Sequence, residues 1–168
     1  MNIEPGTIIT AILFLLVCSI PFILLRRNAR KREKQFIDQL ITVAQKNNCN
    51  ITKHSFWGHA AIGIDENAHM VFFTKKTAEL ETGQQLALQE IQKCRVINTS
   101  RTERNDGNFA MTDKLELAFE PKDRNKAQTA FTFYDSSHDG AMLTGELQMA
   151  EKWCRIINDK IGSATKAK

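Results

Sequence analysis

The sequence lacks any closely spaced pair of cysteines, although its 168 residues include four. Cys18, Cys49, Cys94 and Cys154 stand far apart, and no Cys-x-x-Cys unit is present. The four histidines are scattered as well, and no third ligand follows at the spacing of a metal site. We therefore predict neither a disulfide framework nor a metal site, and reduced thiols that pack as small hydrophobic side chains.

Sequence signatures of catalysis are also missing. The chain has no Gly-rich phosphate loop, no HExxH, no paired-carboxylate signature and no Rossmann fingerprint. The most enzyme-like stretch is DSSHD at 135–139, but adjacent residues cannot generally form a triad, whose members must point at one another from a supporting scaffold. Because the stretch is rich in turn formers, we predict a loop there, and for the chain no enzyme and no cofactor.

The chain after residue 34 has no net charge, although the whole protein carries +4. Of the 23 basic and 19 acidic residues, 17 of each lie after residue 34. The positive excess is confined to residues 26–34, RRNARKREK, which hold six basic residues and one acidic. Since nucleic-acid-binding domains normally carry a basic excess, we expect no nucleic-acid partner.

One long hydrophobic run, residues 8–25, precedes this basic segment. All its residues are apolar except Thr10, Ser19 and Pro21. A helix of that length measures about 27 Å, close to the roughly 30 Å hydrocarbon core of a bilayer. A signal peptide would carry its positive charge in front of the run and a small-residue cleavage site behind it, and the chain has neither. The run therefore predicts a transmembrane helix over 8–25.

The basic segment then orients this predicted span. By the positive-inside rule, residues 1–7 lie outside and the rest of the chain lies in the cytoplasm, at the inner or plasma membrane. The segment is interpreted either as a topology signal alone or as a contact for anionic head groups, worth about 1 kcal/mol per basic residue. The candidate contacts are Arg26, Arg27, Arg30, Lys31, Arg32 and Lys34, with Lys75 and Lys76 of a later loop as a second contact.

Residues 26–50 are predicted as a basic juxtamembrane helix that ends at the Asn-rich stretch 47–50. Its apolar residues recur at three- and four-residue spacing: Phe36, Ile37, Leu40, Ile41 and Ala44. Lys34, Asp38, Gln45 and Lys46 fall on the other side. The apolar stripe could pack on the membrane surface or on the domain that follows, and we favour the domain.

Seven strand-like segments follow, with short polar connections. They are residues 51–57, 60–64, 69–74, 85–89, 94–101, 114–120 and 129–134. The cleanest is 114–120, because Leu115, Leu117 and Phe119 alternate with polar residues. Residues 75–84 are polar and contain a glycine, which predicts a loop.

The last element is predicted to be an amphipathic helix. Its stripe is spaced 4, 3, 4, 3 and 4, through Leu143, Leu147, Ala150, Cys154, Ile157 and Ile161. Gly162 is the predicted C-cap, and residues 162–168 are expected to form a disordered tail. Trp153 lies beside the stripe, so we expect it to pack over the sheet near Phe131, Phe133, Leu115 and Leu117, with its N–H bonded to an acceptor.

This element order resembles a pleckstrin-homology-like domain over residues 51–161. The likeness is strengthened by WG at 57–58, IGID at 62–65 and AEKW at 150–153, where Trp153 is similar to the tryptophan that plugs the open end of the sheet in that family. With its anchor, the chain resembles small bacterial single-pass membrane proteins with a cytoplasmic domain of this kind. The resemblance implies an α+β fold: a transmembrane and a juxtamembrane helix, then a seven-stranded antiparallel barrel or sandwich capped by a C-terminal helix.

What the resemblance implies for function is a platform that binds proteins. The family's lipid-binding members carry basic residues in the first hairpin loop, and this loop, residues 57–59, has no Lys or Arg. Phosphoinositide recognition is therefore not implied. We expect a membrane-anchored, non-catalytic interaction module at the cytoplasmic face that binds a protein partner. The alternative is an anionic-lipid head-group sensor that uses residues 26–34, and an enzyme with an unrecognised site is a more distant one.

Overall fold

The protein is described from a computed structural model. Residues 14, 30–31, 33–77, 81–103, 109–140 and 143–166 are described, and the chain divides into two compact units, Met1–Gln35 and Phe36–Lys168. None of the helices in this part of the chain is long and apolar enough to cross a membrane. The predicted fold class, which began with a transmembrane helix, is therefore wrong. Apart from Phe14, the run 8–25 lies outside the described residues.

The larger unit is an α+β fold with two antiparallel sheets and a long C-terminal helix. The first sheet has the order β1-β2-β3-β4 and consists of Lys53–Trp57, Ala60–Asp65, Met70–Lys76 and Glu81–Ala87. The second has the order β5-β6-β7 and consists of Ile91–Glu103, Phe109–Pro121 and Thr129–Asp135. The helices are α1 over residues 33–46, α2 over Ser136–Asp139 and α3 over Glu146–Lys166, and a 3-10 turn, Leu88–Glu90, joins the sheets.

The main core lies between the two sheets and beneath α3. Alternation along β6 buries Leu115, Leu117 and Phe119, as the sequence predicted. Aromatic rings link the sheets, since Phe73 stacks on Phe131 with centroids 5.1 Å apart. The largest fully buried side chain is Trp153, which is 1% exposed. Main-core residues from the first sheet, the second sheet and α3 include Ile62, Ile64, Val71, Phe73, Leu117, Phe119, Phe131, Phe133, Ala150, Trp153 and Ile157.

A second, smaller apolar cluster covers the outer face of the first sheet, where α1 packs. Its buried members are Phe36, Leu40, Ala44, Cys49, Ala61 and Phe72, and we call it the outer cluster. Strand β2 is therefore buried along its whole length, on both faces. At Gly63, a Cβ atom would lie 2.8 Å from Leu40 Cδ2 and 3.0 Å from Ile51 Cγ2. Only a glycine lets α1 approach the strand this closely.

Asp65 fastens the segment after α1 to the turn between β2 and β3. Its carboxylate accepts hydrogen bonds from the backbone N–H of Asn50 at 2.6 Å and from those of Asn67 and Ala68, both at 2.9 Å. Burial alone would raise the pKa of Asp65, but these three donors, with a smaller contribution from His69, hold it below the usual value. The side chain is 4% exposed. Backbone N–H groups from the segment after α1 and from the turn between β2 and β3 thus stabilise this buried charge.

Several predicted element boundaries are wrong. Strand β4 begins at Glu81, inside the predicted loop 75–84, because β3 supplies a hydrogen-bonding partner to polar residues that have no hydrophobic alternation. Helix α3 continues through Gly162 to Lys166, so the predicted C-cap there is wrong. An interior glycine costs a helix only about 1 kcal/mol, and Ile161 beside it is buried. The stretch 135–139, predicted as a loop, contains the helical turn α2.

Candidate functional site

A groove of about 420 Å³ lies on the outer face of the first sheet, between α1 and the β3–β4 pair. It is lined by Asp38, Gln39, Thr42 and Val43 of α1 and by Thr74, Thr82 and Gly83 of the strands. The volume falls within the roughly 300–1,000 Å³ of small ligand sites. The α1 residues of this lining lie beside the buried stripe Phe36, Leu40 and Ala44 of the same helix. Packing of the outer cluster therefore fixes their position.

Thr74 gives the groove an unsatisfied polar group. The residue is 6% exposed, and its Oγ1 has no hydrogen-bond partner among the described residues. Its cross-strand neighbour is Gly83, and a Cβ atom at that glycine would meet nothing within 4 Å. The space above Gly83 is therefore open. The Thr74 hydroxyl oxygen is itself buried, so an occupant of this space would contact the surface of the residue and not the hydroxyl.

Strand β4 borders the groove and forms an edge of the first sheet. Its only strand partner among the described strands is β3, so its outward N–H and C=O groups are open to pairing with an extended chain. The end of α1 is held over this strand, because Asn47 Nδ2 donates to Gln85 Oε1 at 2.7 Å and to the Val43 carbonyl at 2.9 Å. The groove thus has one fixed helical wall and one open strand edge.

Among the described residues that line the groove, Asp38 alone has a charged side chain. The carbonyl of Asp38 accepts a hydrogen bond from Thr42 Oγ1 at 2.7 Å, which keeps the two residues one helical turn apart on the same side. The carboxylate of Asp38 is exposed and makes no ion pair with a described residue. From the sequence we assigned Asp38 to the solvent side of α1. The residue is indeed exposed. Its place at the rim of the groove depends on which strands lie under the helix, and no local pattern signals that.

The enzyme-like stretch 135–139 is a helix cap. The Asp135 carboxylate accepts hydrogen bonds from the Ser137 N–H at 3.0 Å and from the Ser137 hydroxyl. His138 Nδ1 lies 2.5 Å from Ser137 Oγ, but the single hydroxyl proton already points to Asp135. An activated serine needs the imidazole between itself and the acid, and here the serine stands between the two. The Ser137 hydrogen bond holds the pKa of Asp135 below its usual value, as expected for a capping carboxylate.

Lys75, a predicted head-group contact, is buried in β3 rather than exposed in a loop. Its side chain is 8% exposed, and its Nζ lies 2.5 Å from Asp139 Oδ2. Asp139 also accepts the Asp135 N–H at 2.8 Å. Beside the pair, the Tyr134 hydroxyl donates to the Gly140 carbonyl at 2.6 Å, and burial raises the pKa of Tyr134. The Lys75 charge therefore fixes α2 to the first sheet, whereas Lys76 is exposed at the strand end.

The predicted basic contacts near the N-terminus are described only in part. Arg30, Lys31 and Lys34 are helical and exposed. The remaining three, Arg26, Arg27 and Arg32, lie outside the described residues. The structure therefore places half of the predicted basic surface and shows it open to solvent.

Trp153 occupies the predicted place in the core, with Phe131, Phe133, Leu115 and Leu117 in the same cluster. The expected acceptor for its N–H is missing, because Nε1 has no hydrogen-bond partner among the residues that the structure describes. Another tryptophan, Trp57, does find one: its Nε1 donates to the Phe133 carbonyl at 3.4 Å, and its ring stacks on Phe133 at 4.3 Å. Both indoles therefore belong to the main core.

No family model, no curated protein and no solved structure matches the chain. The resemblance to pleckstrin-homology-like domains therefore stays a prediction. Within the described ranges, no group of His, Cys, Asp and Glu side chains could hold a metal ion. The groove on the outer face is the site that the geometry favours.

Proposed function

We propose that this protein is a non-catalytic interaction module whose groove between α1 and the β3–β4 pair binds a segment of a protein partner. The observation that carries the proposal is the open groove itself, where Gly83 leaves space on the strand side. The open edge of β4 supports it further, because main-chain hydrogen bonds to a free strand edge are a recurring mode of peptide recognition.

Photo-crosslinking in cells tests the proposal. A benzophenone amino acid replaces Thr42, an exposed residue of α1 in the lining of the groove, in the full chain; Arg124, in the exposed turn after β6, is the matched control position. We expect a discrete crosslinked product from position 42 that is absent from position 124, with the partner peptide identified by mass spectrometry. A second chain carries Gly83→Leu as well, which fills the groove without changing the main core.

The crosslink at position 42 is expected to disappear in the Gly83→Leu chain. Equal labelling from positions 42 and 124, or labelling that persists when the groove is filled, would contradict the proposal. The Gly83→Leu chain must retain the melting temperature of the parent, since a Cβ atom at this position meets no neighbour.

A second candidate function is the sensing of anionic head groups through residues 26–34. It is supported by the exposure of Arg30, Lys31 and Lys34. The test is flotation of the full chain with vesicles that contain phosphatidylserine and with zwitterionic vesicles. Replacing these three of the six basic residues by Gln should weaken the preference for phosphatidylserine, and salt should weaken it further. A chain with Gln at Lys93, Lys152 and Arg155, which are also exposed, is the charge-matched control. Equal binding to both vesicle types would exclude this function.

We propose the cytoplasmic side of the inner or plasma membrane as the place of action. The support is in the sequence, where the apolar run 8–25 is followed at once by the basic segment 26–34. Cell fractionation tests the location, and a reporter fused after Lys168 tests which side the domain faces. Recovery of the chain entirely in the soluble fraction, or a reporter active only in the exported compartment, would overturn this part of the proposal.

A further inference from the structure

We propose that the groove takes an extended peptide segment that adds to the edge of β4 and places a lysine or arginine side chain against Asp38. This inference rests on the proposed function and deepens it, because it names the conformation and the charge of the partner.

The two sheet edges nearest to helices differ in whether they can accept a strand. On β5, Asn158 of α3 occupies the edge at Cys94: its Oδ1 accepts the Cys94 N–H and its Nδ2 donates to the Cys94 carbonyl, both at 2.9 Å. The side-chain amide thus takes the hydrogen bonds that an added strand would make. On β4, no described residue caps the outward backbone groups in this way. Of these two edges, β4 is therefore the one that is open to an extended ligand.

The groove lies where a side chain of such an added strand would project. Paired residues of neighbouring strands point to the same face of a sheet. Thr74 and Gly83 are paired and belong to the outer face that carries α1. A ligand residue placed next to Gly83 would point to the same face, into space that the absent Cβ leaves open.

The lining of the groove suits a long side chain that is apolar along its stem and cationic at its tip. Val43 and Thr74 offer apolar contact, and Asp38 offers a carboxylate at the rim. Lysine and arginine pack their stems on apolar surface while the charged head reaches outward, and a charge-assisted hydrogen bond to a carboxylate is stronger than a neutral one. An acidic side chain or a phosphate would meet the Asp38 charge and be repelled.

Selection from a displayed library of random heptapeptides tests the inference with the full chain in detergent solution. We expect enrichment of Lys or Arg at one fixed position. A selected peptide should bind about fivefold more weakly when norleucine replaces that residue, the equivalent of about 1 kcal/mol for a partly exposed ion pair. Gly83→Leu should abolish the enrichment.

Charge reversal at the rim gives the sharper readout. With Asp38→Lys, the enriched residue should change to Asp or Glu at the same position. Asp159→Lys, the same reversal at an exposed position of α3, is the matched control and should leave the selection unchanged. Both positions are on the surface, so both variants should melt like the parent.

Two outcomes would overturn the inference while leaving the proposed function to its own test. Peptides that are enriched without a fixed basic position, or whose preference survives Asp38→Lys, would show that the charge of Asp38 does not select the ligand. A library that yields no enriched peptide would exclude an extended basic segment, and the crosslink at position 42 would then decide separately whether the groove binds any partner.

Discussion

The two faces of the first sheet are packed in different ways. On the inner face, large side chains interdigitate with the second sheet and α3, as where Phe73 stacks on Phe131. On the outer face, α1 lies close to the backbone of β2, over Ala61 and Gly63. The inner face is stabilised by the packing of large side chains. The outer face is stabilised by the close approach of a helix to the backbone of a strand. The groove is found on the outer face, where a helix covers only part of the sheet.

This difference predicts opposite sensitivities. The main core should be damaged most when a large side chain is removed, because its neighbours cannot close the cavity. The outer cluster should be damaged when a small side chain is enlarged, because the helix must then move away. If both faces were equally sensitive to both kinds of substitution, the two faces would be packed alike.

The largest effect is expected for Trp153→Ala in the main core. Removal of a buried aromatic side chain costs about 3–5 kcal/mol, a large part of the roughly 5–15 kcal/mol that stabilises a domain. Urea denaturation of the variant should show this loss, or the protein should be insoluble. Lys152→Ala, one position away on the exposed side of α3, should change the free energy of unfolding by less than about 0.5 kcal/mol. Equal losses in the two variants would contradict the packing of α3 through Trp153.

The second effect is expected for Gly63→Ala in the outer cluster. The new methyl group would lie 2.8 Å from Leu40 Cδ2, so overpacking should cost about 1–3 kcal/mol. In a double-mutant cycle, Leu40→Ala should relieve this clash. The double variant should then lose less free energy of unfolding than the sum of the losses in the two single variants. Strict additivity in urea denaturation would mean that α1 does not approach β2 at this residue.

A pH-dependent effect is expected at Asp65, which joins the outer cluster to the turn after β2. Because the folded pKa is below the unfolded value of about 3.9, the ionised carboxylate stabilises the fold above that value. This contribution is lost as the pH falls from about 4 down through the folded pKa. Asp65→Asn should cost up to about 2 kcal/mol at neutral pH and should flatten the fall of melting temperature below pH 4. Asp159→Asn should keep the parent's acid profile.

The smallest effect should be a gain in stability. Gly162 is exposed inside α3, and a Cβ atom there would meet nothing within 4 Å. Gly162→Ala should therefore stabilise the helix by about 0.5 kcal/mol and raise the melting temperature by roughly 1–2 °C. A lower melting temperature would mean that the chain leaves the helical conformation at this glycine, as the sequence had led us to expect.

Local hydrophobic alternation allowed much of the sheet structure to be predicted. Strand β6 was clear because Leu115, Leu117 and Phe119 alternate with polar residues, and all three are buried. Strand β4 was missed over its first half because residues 81–84 are polar, and their conformation comes from pairing with β3. Sequence patterns report burial and turn chemistry, but not hydrogen bonds supplied by another strand.

The candidate site could not be predicted for the same reason. Lys75 was assigned to a loop because residues 75–84 are polar and contain a glycine, while its partner Asp139 lies 64 residues along the chain. Asp38 and Thr74 come together only when α1 crosses the first sheet. None of these residues belongs to a motif. Only the tertiary structure could show that Lys75 is paired in the interior and that Asp38 and Thr74 line a groove.

The burial of β2 on both faces has a consequence for shortened chains. A chain that begins at Ile51 would keep all seven strands and α3 but would lack α1. The outer face would then expose Phe72 and Ala61 beside Phe56 and Met70, on a sheet whose edge strands are free to pair. A contiguous apolar surface next to an open edge is a template for self-association. We therefore expect recombinant production of the domain to require α1, because this helix covers the apolar outer face and so prevents aggregation.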